Sequence, residues 1–230
     1  MKDLFFNNPY FGFIISLLSF EIGKRIFLKL KNPIFNPLLI AIILVIGFLY
    51  AFDIPLSQYE LGGNIIGFFL APATVALGLP LYKQFDTLKK NFIPIFLGSV
   101  IGSFTAIGSV ILLGKALGIE KILLISFMPK SITTPIGIEV SKLLGGLPSI
   151  TVFAIIVTGV SGNIFAPLVC NALKIKHPVA KGLGIGVSSH AVGTAKAMEM
   201  GEVEGAMSAL SIVVAGIITI FLAPLLVRFI

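Results

Sequence analysis

Four stretches of this chain are long and apolar enough to cross a lipid bilayer as helices. They cover residues 34–52, 91–114, 147–173 and 205–227. A spanning helix needs about 20 largely apolar residues. Only 12% of the 230 residues are charged, whereas soluble domains carry roughly 25%, so a water-facing surface could not be covered. The sequence therefore predicts an all-α integral membrane protein, a polytopic helical bundle that crosses the membrane several times.

Positive charge is concentrated between the apolar stretches. Seventeen Lys and Arg residues against ten Asp and Glu give a formal net charge of +7, and many of the cations lie in short gaps such as 24–31 and 174–181. Basic residues in short loops mark the cytoplasmic side of a membrane protein, so both gaps are predicted to be cytoplasmic. This pattern indicates the cell inner (cytoplasmic) membrane and argues against nucleic-acid binding, which needs a basic face or stripe.

The predicted sides of the loops indicate that the apolar segment 122–145 does not cross the membrane. Lys83, Lys89 and Lys90 against Asp86 place the gap before the span 91–114 in the cytoplasm, so residue 121 after that span lies outside. If the gap 174–181 is also cytoplasmic, the start of the span 147–173 lies outside too. We therefore expect 122–145 to enter the membrane and return, with its turn at residues 127–135. Non-helical backbone at that depth is tolerated where it is buried in protein or lines a watery cavity. The alternative, a crossing segment, would place the basic loop outside.

A helix breaker followed two residues later by a hydroxyl occurs three times. The pairs are Pro72 with Thr74, Pro129 with Ser131, and Gly186 with Ser188, and the three breakers are 57 residues apart. Inverted pairs of broken segments mark the binding sites of secondary transporters. The sequence thus predicts broken or re-entrant helices arranged as inverted repeats, with 182–199 as the second re-entrant segment.

These segments suggest one transmembrane domain over residues 1–230. We expect N-terminal helices in 1–60, a first repeat-like unit in 61–118, and paired broken-helix units in 119–175 and 176–230. The last two units are expected to enter the membrane from opposite sides.

The first predicted turn combines a cation with hydroxyl groups. Its candidate substrate-binding residues are Lys130, Ser131, Thr133 and Thr134, with Pro129 and Pro135 in support. Charges inside membrane segments are costly and mark functional sites, and helix N-termini attract anions. The turn is therefore a candidate anion site. The alternative is a lysine that extends to the membrane surface, with hydroxyls that only cap the turn.

The second broken segment repeats this chemistry. Its candidate substrate-binding residues are Ser188, Ser189, His190, Gly193 and Thr194. Because an unperturbed histidine titrates close to neutral pH, His190 is our candidate for coupling a proton to substrate movement. The alternative is a neutral His190 that is hydrogen-bonded to the facing hairpin.

Other polar residues are assigned supporting roles. Glu139 and Lys196 stand three residues from Lys142 and Glu199, a spacing that favours structural ion pairs within a helix. Asn163, in the middle of an apolar span, is expected to bind a neighbouring helix. Pro72 and Thr74 would form the corresponding break in the earlier unit.

The sequence contains no motif that indicates catalysis, cofactor binding or metal binding. Cys170 is the single cysteine, and only two histidines are present, so neither a disulfide nor a His- or Cys-rich metal site is expected. The glycines at 182, 184 and 186 do not complete a dinucleotide-binding fingerprint, because Ser189 occupies its last position. We predict no enzyme activity, no cofactor and no metal.

Two runs carry a specific resemblance. The run MPKSITTPIGIEVSKLLGGLPSITVFAIIVTGVSGNIFAPLV and the run AKGLGIGVSSHAVGTAKAMEMGEVEGAMSALSIVVAGIITIFLAPLL resemble the LrgB/CidB family, with residues 128–227 the most diagnostic. Members were named as antiholin-like or holin-like proteins that modulate murein hydrolases and lysis beside an LrgA/CidA-type partner. Related members are implicated in pyruvate uptake, and a plastid relative is a glycolate/glycerate translocator.

Two functions follow from these expectations. The first is a secondary transporter of small monocarboxylates of the pyruvate, glycolate or glycerate class, coupled to protons through His190 and assembled as a homo-oligomer. The second, which the resemblance implies, is a holin- or antiholin-like protein that controls murein hydrolase activity with an LrgA/CidA-type partner.

Overall fold

A computed structural model of the chain describes residues 6–30, 35–69, 72, 75–76, 78–83 and 85–230. All regular structure within these ranges is helical, which confirms the predicted all-α class. The chain divides into two compact units, Met1–Ala76 and Leu77–Ile230. The predicted single transmembrane domain and its four successive parts stay a prediction.

The first unit contains the described helices α1 (Pro9–Leu30), α2 (Pro37–Ala51) and α3 (Leu56–Phe68). α1 approaches α3 closely at Gly12 and Gly62, where a Cβ atom on either residue would overlap backbone of the other helix. Small residues permit such close contacts between membrane helices. The Ser16 and Tyr59 hydroxyls, 2.9 Å apart, add a hydrogen bond between the same two helices.

α1 extends well beyond the apolar run of residues 10–20. It continues through the basic gap, so that Lys24, Arg25 and Lys29 lie on its last turns. Lys and Arg are good helix formers, and Arg25 Nε binds Glu21 Oε1 at 2.9 Å across one helical turn. These basic residues thus belong to a helix end rather than to a loop.

α2 is shorter than the predicted span 34–52. Asn36 caps its first turn by accepting hydrogen bonds from the backbone N–H groups of Leu38 and Leu39. Asp53, in the left-handed region at φ 53°, follows its end. Its 15 residues extend roughly 22 Å, less than the ~30 Å hydrocarbon core.

The second unit contains the remaining described helices. They are α4 (Gly78–Lys83), α5 (Phe85–Lys90), α6 (Phe92–Ala116), α7 (Lys121–Phe127), α8 (Thr134–Leu143), α9 (Pro148–Ala172), α10 (Pro178–Met200) and α11 (Glu202–Leu226), followed by a 3-10 turn at Val227–Phe229. Within the described residues, three helices are long and apolar enough to cross a membrane: Phe92–Ala116, Pro148–Ala172 and Glu202–Phe229. They correspond to the predicted spans 91–114, 147–173 and 205–227.

α7 and α8 form a hairpin, here called hairpin 1, beside the start of α9. Thr151 Oγ1, in the first turn of α9, lies 2.9 Å from the Ser126 carbonyl oxygen of α7 and 2.7 Å from Ser141 Oγ of α8. The backbone N–H of Leu147 donates to Ser126 Oγ at 2.8 Å. Both arms therefore lie against the same end of α9, as the re-entrant interpretation of 122–145 requires.

α10 forms a second hairpin, hairpin 2, because its backbone breaks at His190 (φ 44°, ψ −143°). In the first arm (178–189), Gly182 packs on Glu204 and Gly186 on Ser208, so this arm runs parallel to α11. In the second arm (191–200), Thr194 contacts Ser208 while Met198 contacts Gly205, so the chain has reversed. Both ends of hairpin 2 thus lie beside the start of α11.

The two hairpins enter from opposite ends of α9. Hairpin 1 contacts the first turns of α9, whereas a groove at the last turns of α9 is lined by Cys170 together with Lys181 of hairpin 2. The tip of hairpin 2 reaches the first half of α9, where His190 Nε2 lies 2.8 Å from the Ile155 carbonyl oxygen. Hairpin 1 with α9, and hairpin 2 with α11, therefore have the predicted inverted arrangement.

Each hairpin has its own apolar cluster against α6 and α11. Around hairpin 1, the cluster consists of Ile107, Ile111, Met128, Ile132, Val140 and Ala223. Around hairpin 2, it consists of Ile95, Val179, Ala206 and Met207. Apolar side chains thus pack the turn and second arm of hairpin 1, and the start of hairpin 2, against α6 and α11.

Candidate functional site

The tips of both hairpins line one cavity beside α6, here called the central cavity. Its volume is about 460 Å³. Its wall consists of Gly98, Gly102, Thr105, Ala106 and Ser109 from α6, Lys130 and Ser131 from hairpin 1, and Ala180, Leu183, Gly184, Val187 and Ser188 from the first arm of hairpin 2. The cavity therefore combines one cation with four hydroxyl groups in an otherwise apolar surface.

Lys130 lies at the tip of hairpin 1 and is half-buried. Its Nζ donates a hydrogen bond to Ser131 Oγ at 3.2 Å. Hairpin 1 holds it there because Pro129 and Met128 are almost completely buried in the turn. Lys130 thus belongs to the wall of the cavity, and its predicted role in binding an anion stays a prediction.

Ser131 and Ser188 come from the two broken segments and meet at this cavity. They stand 57 residues apart, which is the spacing predicted for the repeat. A carboxylate accepts hydrogen bonds from an ammonium and from hydroxyl groups, and such charge-assisted bonds are stronger than neutral ones. The wall is thus chemically suited to a small organic anion.

The other candidates in hairpin 2 are not among the described residues that line the central cavity. Ser189 Oγ is 2.9 Å from Ser188 Oγ, and the buried His190 ring reaches the Ile155 carbonyl oxygen. Gly193 packs against Ser189 and Ile185. Thr194 Oγ1 donates to the His190 carbonyl oxygen at 3.0 Å and lies 2.7 Å from Ser208 Oγ. The hydrogen bond of His190 is structural, but its partner lies in α9 and not in the facing hairpin that we expected. The predicted contact of these residues with substrate stays a prediction.

The remaining candidates of hairpin 1 surround the start of α8. Thr133 precedes the helix in an extended conformation, and Thr134 and Pro135 form its first turn. Among the described residues that line the central cavity, Thr133 and Thr134 do not appear. Of the earlier predicted break, Pro72 is exposed in the first unit, and Thr74 lies outside the described residues.

The supporting polar residues take the structural roles that we favoured. Lys142 Nζ binds Glu139 Oε1 at 2.9 Å, and Lys196 Nζ binds Glu199 Oε2 at 2.7 Å. Asn163 Nδ2 of α9 donates to the Val192 carbonyl oxygen of hairpin 2 at 2.9 Å. Across the described ranges, no three His, Cys, Asp or Glu side chains are grouped so that they could hold a metal ion.

Sequence reasoning missed the α6 wall of the cavity. A Cβ atom at Gly98 would lie 2.5 Å from Leu183 Cδ2, and one at Gly102 would lie 2.6 Å from Val187 Cγ1. These glycines therefore let hairpin 2 approach α6. The signal was present as a G-x-x-x-G pattern in an apolar helix, which indicates a close helix contact.

Comparison with known proteins places the chain in a family. The LrgB-like family matches residues 16–229. The antiholin-like protein LrgB of Bacillus mycoides (strain KBAB4) is 40% identical over 224 residues, which cover 97% of this chain and 97% of the relative. Proteins of the same name from Bacillus cereus (strain B4264) and Bacillus anthracis (strain CDC 684 / NRRL 3495) match to the same extent. No solved structure matches the chain. The family match confirms the resemblance found in the sequence: the chain belongs to the LrgB-like family.

Proposed function

We propose that this chain is a secondary carrier for small monocarboxylates of the pyruvate, glycolate or glycerate class. The observation that carries the proposal is that Lys130, Ser131 and Ser188, from two hairpins of opposite direction, line one cavity. Lys130 would neutralise the carboxylate, and the two hydroxyls would donate hydrogen bonds to it. Opposed broken segments at a midplane site are the arrangement that alternating access uses in known transporters.

Several finer features belong to the same proposal. The carrier would lie in the cytoplasmic membrane as a multi-pass homo-oligomer without enzymatic activity. His190 stays our candidate for proton coupling, because its ring joins the tip of hairpin 2 to α9. A change in its protonation would alter that contact and hence the exposure of the cavity.

A second candidate function is favoured by the names of the relatives. The relatives at 40% identity are called antiholin-like, which agrees with a protein that modulates murein hydrolases and lysis together with an LrgA/CidA-type partner. The carrier rests on the geometry of the cavity alone, so on the comparisons this second function has the better support. The two functions differ in whether substrate flux is selective and saturable.

The test is uptake of radiolabelled pyruvate and glycolate into proteoliposomes with a dye trapped inside. We expect saturable uptake that unlabelled monocarboxylates compete away, with the dye retained. Lys130→Gln should lower uptake about tenfold or more, because a buried charge-assisted bond contributes roughly 1.5–3 kcal/mol. Lys121→Gln, which removes an exposed cation at the base of hairpin 1, is the matched control.

Other outcomes contradict the carrier. Dye release without saturable uptake would favour the holin-like function. Silence in both assays, with and without an LrgA/CidA-type partner in the same membrane, would also overturn carriage and leave a regulatory role.

A further inference from the structure

A second groove lies on the other side of hairpin 2, between its first arm and the C-terminal half of α9. Its volume is about 430 Å³. We call it the α9 groove. It is lined by Ser161, Gly162, Phe165, Ala166, Val169 and Cys170 of α9, by Ile175, and by Ala180, Lys181, Gly184, Ile185, Ser188 and Ser189 of hairpin 2.

The α9 groove and the central cavity lie on either side of one exposed ridge of hairpin 2. Ala180, Gly184 and Ser188 line both spaces. They recur every four residues, so they lie along one side of the first arm. None has a side chain larger than a hydroxymethyl group, and a Cβ atom at Gly184 would meet no heavy atom within 4 Å. All three residues are exposed, so the two spaces adjoin each other along this outer side of the arm.

The polar groups of the α9 groove lie at its two ends. The inner end carries the hydroxyls of Ser161, Ser188 and Ser189, and the last two are 2.9 Å apart. The outer end carries Lys181 beside Cys170 and Ile175. The middle is apolar. A cation at the mouth of a low-dielectric cleft raises the local concentration of anions.

We infer that the α9 groove is an access site through which small organic monocarboxylates pass Lys181 and reach Ser188. The inference rests on the proposed carrier function, and it adds a route and an anion-collecting residue to the central cavity. Lys181 attracts the carboxylate at the mouth, the apolar middle accommodates the short carbon chain, and the Ser188 hydroxyl is shared by both spaces.

Cys170 is a natural probe of this groove because it is the chain's single cysteine and lines the groove. Its reaction with two methanethiosulfonates, the anionic sulfonatoethyl and the cationic trimethylammonioethyl reagent, is to be timed on the whole purified protein. We expect the anionic reagent to react faster once each rate is divided by the rate of the same reagent with a free thiol in solution. Lys181→Gln should lower the anionic rate and raise the cationic rate about tenfold each, the effect of a unit charge at roughly 10 Å in a medium of effective dielectric near 20. The anionic-to-cationic rate ratio should therefore fall about a hundredfold. Lys121→Gln, at the other end of the unit, should leave the ratio unchanged.

A second variant fills the groove instead of changing its charge. Gly184→Leu should slow the reaction of Cys170 with both reagents at least fivefold and lower pyruvate uptake. Gly108→Leu is the matched control, because a Cβ atom at Gly108 also meets nothing within 4 Å and Gly108 lines neither space. Pyruvate added in excess should slow Cys170 modification in the unmodified protein.

The outcomes separate this inference from the proposed function. A rate ratio that ignores Lys181, or a Cys170 that reacts with neither reagent, overturns the access site even if uptake is intact. A Lys181-dependent ratio in a protein that takes up no monocarboxylate contradicts the carrier and keeps an anion site in the groove. Equal rates of Cys170 reaction in Gly184→Leu and in the protein without substitutions would also overturn the inference.

Discussion

At the scale of single residues, Ser131 and Ser188 have equivalent positions in two oppositely directed hairpins. Both line the central cavity, but their surroundings differ. Ser131 is buried and accepts a hydrogen bond from Lys130 Nζ, whereas Ser188 is exposed and pairs with Ser189. Only one half of the repeat therefore supplies a cation, and the site is asymmetric in charge.

This asymmetry leads to a prediction for the two serines. Ser131→Ala and Ser188→Ala should each raise the KM for pyruvate uptake about fivefold to tenfold, because each removes one hydrogen bond to a charged ligand group. Ser131→Ala should have the larger effect, since it also leaves Lys130 Nζ without the acceptor that positions it.

The measurement is the concentration dependence of uptake in proteoliposomes, with protein content matched by immunoblot. Ser149→Ala, an exposed serine at the start of α9, is the control and should leave KM unchanged. An unchanged KM in both test variants would remove the two hydroxyls from the binding site.

At the scale of elements, the hairpins are held by hydroxyl groups of the helices that follow them. Thr151 of α9 lies within hydrogen-bonding distance of both arms of hairpin 1, and Ser208 of α11 contacts Thr194 of hairpin 2. Thr151 and Ser208 are 57 residues apart, the same interval as the breakers. The repeat thus extends to the positions that fix each hairpin, although one position holds threonine and the other serine.

The re-entrant hairpins predict a labelling pattern. In a Cys170→Ser background, single cysteines at positions 121 and 149 should react with a membrane-impermeant maleimide from one side. Cysteines at positions 176 and 202 should both react from the opposite side. These positions flank hairpin 1 and hairpin 2, and Lys121, Ser149, Lys176 and Glu202 are all exposed.

A discordant pair would contradict the geometry. If positions 121 and 149 react from opposite sides, the segment between them crosses the membrane and hairpin 1 is wrong. Labelling of all four positions from one side would contradict the inverted arrangement while leaving each hairpin possible.

Much of this element order could be predicted from the sequence because each signal is local. Pro129 and Pro135 interrupt helical backbone, and the absence of acids in the gap 174–181 fixes a loop polarity. The position of the break in hairpin 2 was harder to predict from the sequence. Glycines at 182, 184 and 186 stay helical in the first arm, and the break falls at His190, where the contact with Ile155 compensates an unfavourable backbone conformation. Tertiary contacts of that kind leave no trace in the local pattern.

The α6 wall of the cavity illustrates the same limit for the site. Thr105 and Ser109 line the central cavity, yet they stand in an apolar span without charge or breaker. Their role depends on which face of α6 meets hairpin 2, and that face is decided by Gly98 and Gly102 packing on Leu183 and Val187. Sequence can predict such a contact, but not which polar side chains lie beside it.

At the scale of the whole second unit, basic residues are unequally divided between its two ends. Lys83 Nζ lies 3.7 Å from Glu202 Oε1, so the end of α4 and the base of hairpin 2 share one end. That end carries Lys83, Lys89, Lys90, Lys174, Lys176 and Lys181, and the end with hairpin 1 carries Lys115, Lys121, Lys142 and Arg228. The acidic residues 199–204 also lie at the first end, but acids contribute little to orientation. The base of hairpin 2 is therefore expected to face the cytoplasm.

This orientation predicts where the end of α11 lies. Because α11 begins beside hairpin 2 and ends beside hairpin 1, a reporter fused after Ile230 should be outside the cytoplasm. We expect an alkaline phosphatase fusion to be active and a green fluorescent protein fusion to be dark. In intact cells, a cysteine at position 176 should be protected from impermeant maleimide and one at position 149 should react. A fluorescent protein fusion that is bright, together with a phosphatase fusion that is inactive, would mean that the molecule has the opposite orientation. Lys181 would then attract anions from outside the cell. The α9 groove would in that case serve entry rather than release on the cytoplasmic side, although its chemistry would be the same.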